Sequence, residues 1–169
     1  MIRNLLASLI LGLVASTQGI AASPDVTLND VHGQPRHFSE YIGRGHWTVL
    51  VVWGPRCPPC VEEMPELQGF HDDHQDGRAK VLGVAVDFPT FGQARRDEVA
   101  RFAEDHFISF PLLLGSAEIF TRFGGTDLQG MPTTLIYDRQ GAIVARHTGS
   151  VTRDMIERFI QKWDAEGAQ

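Results

Sequence analysis

The chain has 169 residues, 43% of them hydrophobic and 21% charged, a globular balance that excludes a disordered, collagenous or multi-span membrane protein. With 15 Lys and Arg against 21 Asp and Glu, a formal charge of -6 and no basic cluster, it has no electrostatic footprint for nucleic acid or an anionic membrane surface. Its only cysteines are Cys57 and Cys60, so a disulfide-stapled miniprotein is excluded and the two act as one CxxC pair.

Residues 1-22 combine a positive head at Arg3, an apolar run from Leu5 to Ala15 and small residues ending at Ala22, the build of an export signal. The run is shorter than the roughly 20 residues that span a bilayer, so cleavage is expected, with an uncleaved membrane tether as the alternative. Residues 23-169 then form one domain. Val26–Leu28 and Arg36–Phe38 flank a Gly/Pro-containing turn and suggest a hairpin-like N-terminal β extension, an appendage to the rest of the domain. His46–Trp53 is a β-branched apolar run, as expected of a strand buried on both faces.

After that strand, Val61, Met64, Leu67 and Phe70 recur every three residues and mark an amphipathic helix from Pro58 to about His74, with Pro58 in its first turn and a kink at Pro65. Lys80–Val86 predicts a second buried strand, and Val99, Phe102, Ala103, His106 and Phe107 predict a second helix. A short strand at Phe110–Leu114 and a helix over Ser116–Phe123 make a central insertion. Thr133–Tyr137, the turn Asp138–Gly141 and Ala142–Ala145 predict a hairpin. A last helix is capped by Thr152 and striped by Met155, Ile156, Phe159, Ile160 and Trp163. Strands alternating with helices predict an α/β fold with a central mixed β-sheet flanked by helices.

Cys57-Pro-Pro-Cys60 falls where a buried strand hands over to a helix. The positive end of a helix dipole stabilises a thiolate, the reactive species in disulfide exchange, so Cys57 is the expected nucleophile and Cys60 the resolving thiol. Pro58 and Pro59 have no N–H to offer the sulfur, which leaves the Cys60 N–H as the nearest donor, while the Arg56 cation favours the thiolate. The balance predicts a moderately lowered thiol pKa and a reducing couple. A structural disulfide would close a tiny loop and remove little unfolded-state entropy. A zinc site with His71 and His74 would need ligands eleven residues apart on one helix, roughly 16 Å of rise, so no metal is expected and both histidines read as solvated. Capture of Cu(I) by the reduced thiols is a rival use of the same atoms.

The motif Val52-Trp53-Gly-Pro-Arg56-Cys57-Pro-Pro-Cys60-Val-Glu-Glu63-Met-Pro65, joined with Gly130-Met131-Pro132-Thr-Thr134 and Asp138-Arg-Gln-Gly141 further along the chain, resembles the exported thioredoxin-like proteins of the TlpA/ResA type. The resemblance runs from about Asp25 to Ile160 and implies a thioredoxin fold and a thiol–disulfide oxidoreductase that needs no cofactor beyond its own disulfide. It implies a cis-proline at Met131-Pro132 opposite the cysteines, and client contacts at Trp53, Arg56, Met131 and Pro132. It also implies a proton-transfer role for Glu63, although acids in a first helical turn are equally explained by the helix dipole. Arg56 stands where the family commonly has Trp. By the same resemblance the chain is expected to be a monomeric periplasmic reductase of disulfide-containing clients, including those of cytochrome c maturation, re-reduced by a membrane donor of the DsbD type. A disulfide oxidant or isomerase is the alternative. A peroxidase is disfavoured because the tight CxxC leaves no room for separated reacting thiols.

Overall fold

The computed structural model describes residues 25–167, so the export segment 1-22 lies outside the described residues. The chain runs β1 (Thr27–Asp30), β2 (Pro35–His37), a 3-10 turn (Phe38–Glu40), β3 (Trp47–Trp53), α1 (Pro58–Asp73), β4 (Ala79–Ala85), α2 (Arg96–Asp105), β5 (Leu112–Leu114), α3 (Ala117–Gly124), β6 (Thr133–Tyr137), β7 (Ile143–Thr148) and α4 (Arg153–Gly167). The strands form one seven-stranded mixed sheet in the order β2-β1-β5-β4-β3-β6-β7. β3 lies between β4, its parallel neighbour, and β6, its antiparallel one.

Every position of β3 is buried because each face has its own cover. Trp47, Val49, Val51 and Trp53 join one apolar cluster with Met64, Leu67 and Phe70 of α1, Val99 and Phe102 of α2, and Ile156 and Ile160 of α4. Leu50 and Val52 point the other way, into a cluster with Phe38, Ile42, Phe120 and Phe123. α1 is thus clamped against the sheet along the stripe that the sequence predicts, with Pro65 inside it. The N-terminal β extension is more than an appendage. β1 pairs antiparallel with β5, so the lead-in hairpin becomes the sheet's edge and the central insertion supplies the strand that joins it to the rest.

The structure corrects several expectations. Phe107 is 86% exposed and lies beyond the end of α2 with φ 54°, so the helical stripe stops short of it. His74 is buried rather than solvated, its Nδ1 2.8 Å from the Phe70 carbonyl oxygen and its Nε2 2.9 Å from Arg78 Nη2 and 3.3 Å from Glu157 Oε1. It joins the end of α1 to α4. His71 is half-buried against the Phe110 ring, and burial pushes its pKa down. Trp163 and Met155 remain partly exposed, although Trp163 meets Trp47 edge-on. The Met155 N–H reaches the Thr152 hydroxyl at 3.3 Å, as expected of the cap. Among the described residues no helix is long and apolar enough to cross a membrane.

Candidate active site

β3 ends at Trp53, and the chain turns through Gly54-Pro55-Arg56 into α1. The Cys57 N–H donates to the Gly54 carbonyl at 3.1 Å, and the Cys60 and Val61 N–H groups donate to the Cys57 carbonyl at 3.0 Å. Cys57 is therefore the N-cap of α1, with Pro58 and Pro59 at the first two helical positions and Cys60 at the third. The two sulfurs are joined in a disulfide with Cα atoms 5.2 Å apart. Strand placement and helix start thus bring the pair to the site that the sequence predicts. The Cys60 N–H is engaged by the Cys57 carbonyl, and the oxidised pair is enclosed, Cys57 being 1% exposed and Cys60 wholly buried, facing the core as the sequence predicts.

Glu63 is one turn beyond Cys60 on the same face of α1 and is 2% exposed. The helix begins at Pro58, so Glu63 lies outside its first turn and the helix dipole does not explain it. Its Oε2 accepts the Val151 N–H at 2.9 Å, and its Oε1 is buried without a hydrogen-bond partner among the described residues. Burial pushes its pKa up to about 7, against the opposing effect of the Val151 N–H. A carboxyl poised near neutrality, one helical turn from Cys60, can both take and return a proton. Val151 is not legible as a partner in the sequence, because it is brought to α1 by the return of β7 into α4. The same linker is fastened at Ser150, whose hydroxyl donates to the Pro59 carbonyl at 3.2 Å, and at Arg153, whose N–H donates to Glu66 Oε2 at 2.9 Å.

Met131 and Pro132 precede β6, whose ladder with β3 begins at Thr133 opposite Val52, so Met131 stands just outside the sheet at the end where the cysteines lie. The Met131–Pro132 bond is cis, and so is Phe88–Pro89, which comes after β4 on the other flank of β3. Both loops close on Gly54: a Cβ there would lie 3.6 Å from Met131 Cε and from Phe88 Cβ, and 2.6 Å from the Val86 carbonyl oxygen. That last approach is to backbone, which cannot swing aside. Gly54→Ala is expected to destabilise the oxidised protein by about 1–3 kcal/mol in urea unfolding; an unchanged unfolding midpoint would show that the approach is relaxed in solution.

Trp53 is fully buried, its ring tilted on Phe102 with centroids 4.9 Å apart. A side chain with no exposed surface cannot meet a client, so Trp53 supports the strand end from beneath, and its assignment as a client contact is corrected. Arg56 is exposed, but its guanidinium is ion-paired with Asp87, and its Nε lies 3.5 Å from Glu98 Oε2. Neither acid is singled out by the sequence; Asp87 directly succeeds the apolar run of the second strand, which in a parallel sheet ends beside the first. No group of three or more His, Cys, Asp or Glu side chains among the described residues is arranged to hold a metal ion.

The chain is similar to known proteins. A model of the AhpC/TSA family matches residues 21–146. The thiol-disulfide oxidoreductase ResA of Halalkalibacterium halodurans is 28% identical over 135 residues, covering 79% of this chain and 70% of that protein. The thioredoxin-like protein YneN of Bacillus subtilis is 28% identical over 138 residues, covering 82% and 76%. Among solved structures, a secreted thiol-disulfide isomerase from Corynebacterium glutamicum aligns with a TM-score of 0.68 at 25% identity, over 79% of this chain and 80% of that one. A DsbF homologue from Corynebacterium diphtheriae aligns at 0.71 and 20% identity over 89% and 97%, a likeness of fold.

Proposed function

The chain belongs to the AhpC/TSA family, and from that premise we propose that it is an exported thiol–disulfide oxidoreductase that reduces disulfides in client proteins. The observation that carries the reading is the Cys57–Cys60 disulfide at the start of α1, flanked by the Met131–Pro132 loop. Relatives named thiol-disulfide oxidoreductases and a neighbour described as secreted support it.

In the reduced protein the Cys57 thiolate attacks one sulfur of a client disulfide, forming a mixed disulfide and releasing the other client sulfur as a thiolate that takes a proton from solvent. The client strand lies along the Met131–Pro132 loop, where main-chain groups outside the sheet ladder can pair with it. Cys60 then gives its proton to Glu63 and attacks the Cys57 sulfur. The second client sulfur leaves as a thiolate and is protonated. The client gains two electrons and two protons, and the protein is left as the Cys57–Cys60 disulfide. A membrane dithiol donor of the DsbD type restores the reduced pair, and the clients we favour are exported proteins such as those of cytochrome c maturation.

Reduced protein mixed with insulin is expected to open the insulin disulfides in proportion to the Cys57–Cys60 pairs supplied, read as precipitation of the free insulin chain and as protein disulfide by mass. Inert insulin together with stoichiometric Cu(I) binding would overturn the reading in favour of metal handling. A reduction potential near about -120 mV, that of a strong disulfide oxidant, would reverse the direction.

A further inference from the structure

Arg56 is the residue before the nucleophile, yet the fold engages its charge elsewhere. The acid that binds it sits at the base of a closed loop: the Val86 N–H donates to the Trp53 carbonyl at 2.7 Å, the Asp87 N–H to the Gly92 carbonyl at 3.0 Å, and the Phe91 N–H to the Asp87 carbonyl at 2.8 Å. The Thr90 hydroxyl donates to the Asp87 carboxylate and, with Arg56, holds Asp87 below the usual carboxylate range. Glu98, at the start of α2, takes Arg56 Nε at 3.5 Å and is also bound by Arg95. Two cations and two anions thus form a neutral cluster around the residue that precedes Cys57. The other titratable or charged side chains nearest along the elements that end at the site are Glu62 and Glu63 on α1, Arg96 and Asp97 at the start of α2, Asp127 before the Met131–Pro132 loop, and Arg146 and His147 on β7.

We propose that Asp87 is a positioning residue that withholds the Arg56 guanidinium from the Cys57 thiolate and so keeps the dithiol couple reducing. The physical reason is one of sign. A cation placed against the thiolate stabilises the reduced form, and a couple whose reduced form is stabilised is a stronger oxidant. Held by Asp87 and Glu98, Arg56 does not supply that stabilisation. The proposal rests on the reading of Cys57 as the exchanging thiol but not on any particular client.

The test is the pH profile of iodoacetamide alkylation at Cys57, located by mass, in the full reduced chain, alongside the equilibrium with glutathione. Asp87→Asn is expected to lower the midpoint by about one unit, roughly tenfold more thiolate at pH values below it, and to make the couple more oxidising. Removing a carboxylate also relieves direct repulsion of the thiolate, so the decisive comparison is made in the Arg56→Gln background, where the same substitution is expected to move the midpoint by less than half as much. Equal shifts in the two backgrounds, or no shift in the first, overturn the proposal. Glu98→Gln leaves the 87–92 loop intact and is expected to shift the midpoint the same way by a smaller amount, so misfolding of one variant does not protect the idea. Alkylation needs no client: an inert protein in the insulin assay with the predicted shifts would refute the functional reading alone, and active protein without them would refute only the role of Asp87.

Discussion

Cys60→Ala protein, reduced and mixed with a disulfide-bonded client, is expected to accumulate a stable mixed disulfide through Cys57, whereas Cys57→Ala protein accumulates none. The asymmetry comes from position on the helix. Cys57 caps α1, at the positive end of the helix dipole, which favours a thiolate, while Cys60 lies inside the first turn. Without Cys60 the mixed disulfide has no internal thiol to break it and waits on solvent thiols. Either substitution should therefore abolish multiple turnover, and mass analysis of the Cys60→Ala adduct names the client. Equal trapping by both variants would mean that the two sulfurs are interchangeable and that the helix N-terminus does not select the nucleophile.

Glu63→Gln is expected to act on stability and on chemistry through the same proton. The carboxyl has a folded pKa of about 7 against an ordinary 4.5. Between those values the unfolded chain gives up a proton that the folded chain keeps, so the folded state loses stability as pH rises across that window. The contribution is fully present below about 4.5 and gone above about 7, on the order of 3 kcal/mol in all. Glutamine keeps an oxygen for the Val151 N–H and has nothing to titrate, so the variant's urea-unfolding free energy should lose this slope and exceed the parent's above about pH 7. In the reaction, glutamine cannot take the Cys60 proton. The resolving step should slow by about 100-fold, with the first attack unchanged and the mixed disulfide longer-lived. A variant that retains the parent's pH slope would show that the buried charge resides on another group.

The features legible in the residues alone are the local ones. The β-branched run of β3, the three-residue apolar spacing of α1 and the CxxC between them place a sulfur at a helix N-terminus with no knowledge of distant contacts, because periodicity and capping act over neighbouring residues. The helix ends are less legible: Phe107 fits the stripe of α2, yet the chain departs from the helix before reaching it. His74 misleads for a related reason, since its neighbours Asp72 and Asp73 suggest a solvated face and say nothing of α4 and Arg78, which enclose it.

The chemical temper of the site was decided only by tertiary structure. Glu63 is an ordinary acid in the sequence until the β7–α4 linker carries Val151 to it and the fold buries it away from water. Arg56 reads as a cation beside a thiol until the parallel pairing of β3 with β4 brings Asp87 within reach of it. Trp53 looks like part of a client surface until α2 covers it. Which residue performs the exchange is set by chain order, but burial and opposing charge, which set its reactivity, belong to segments far apart in the chain, and folding alone brings them together.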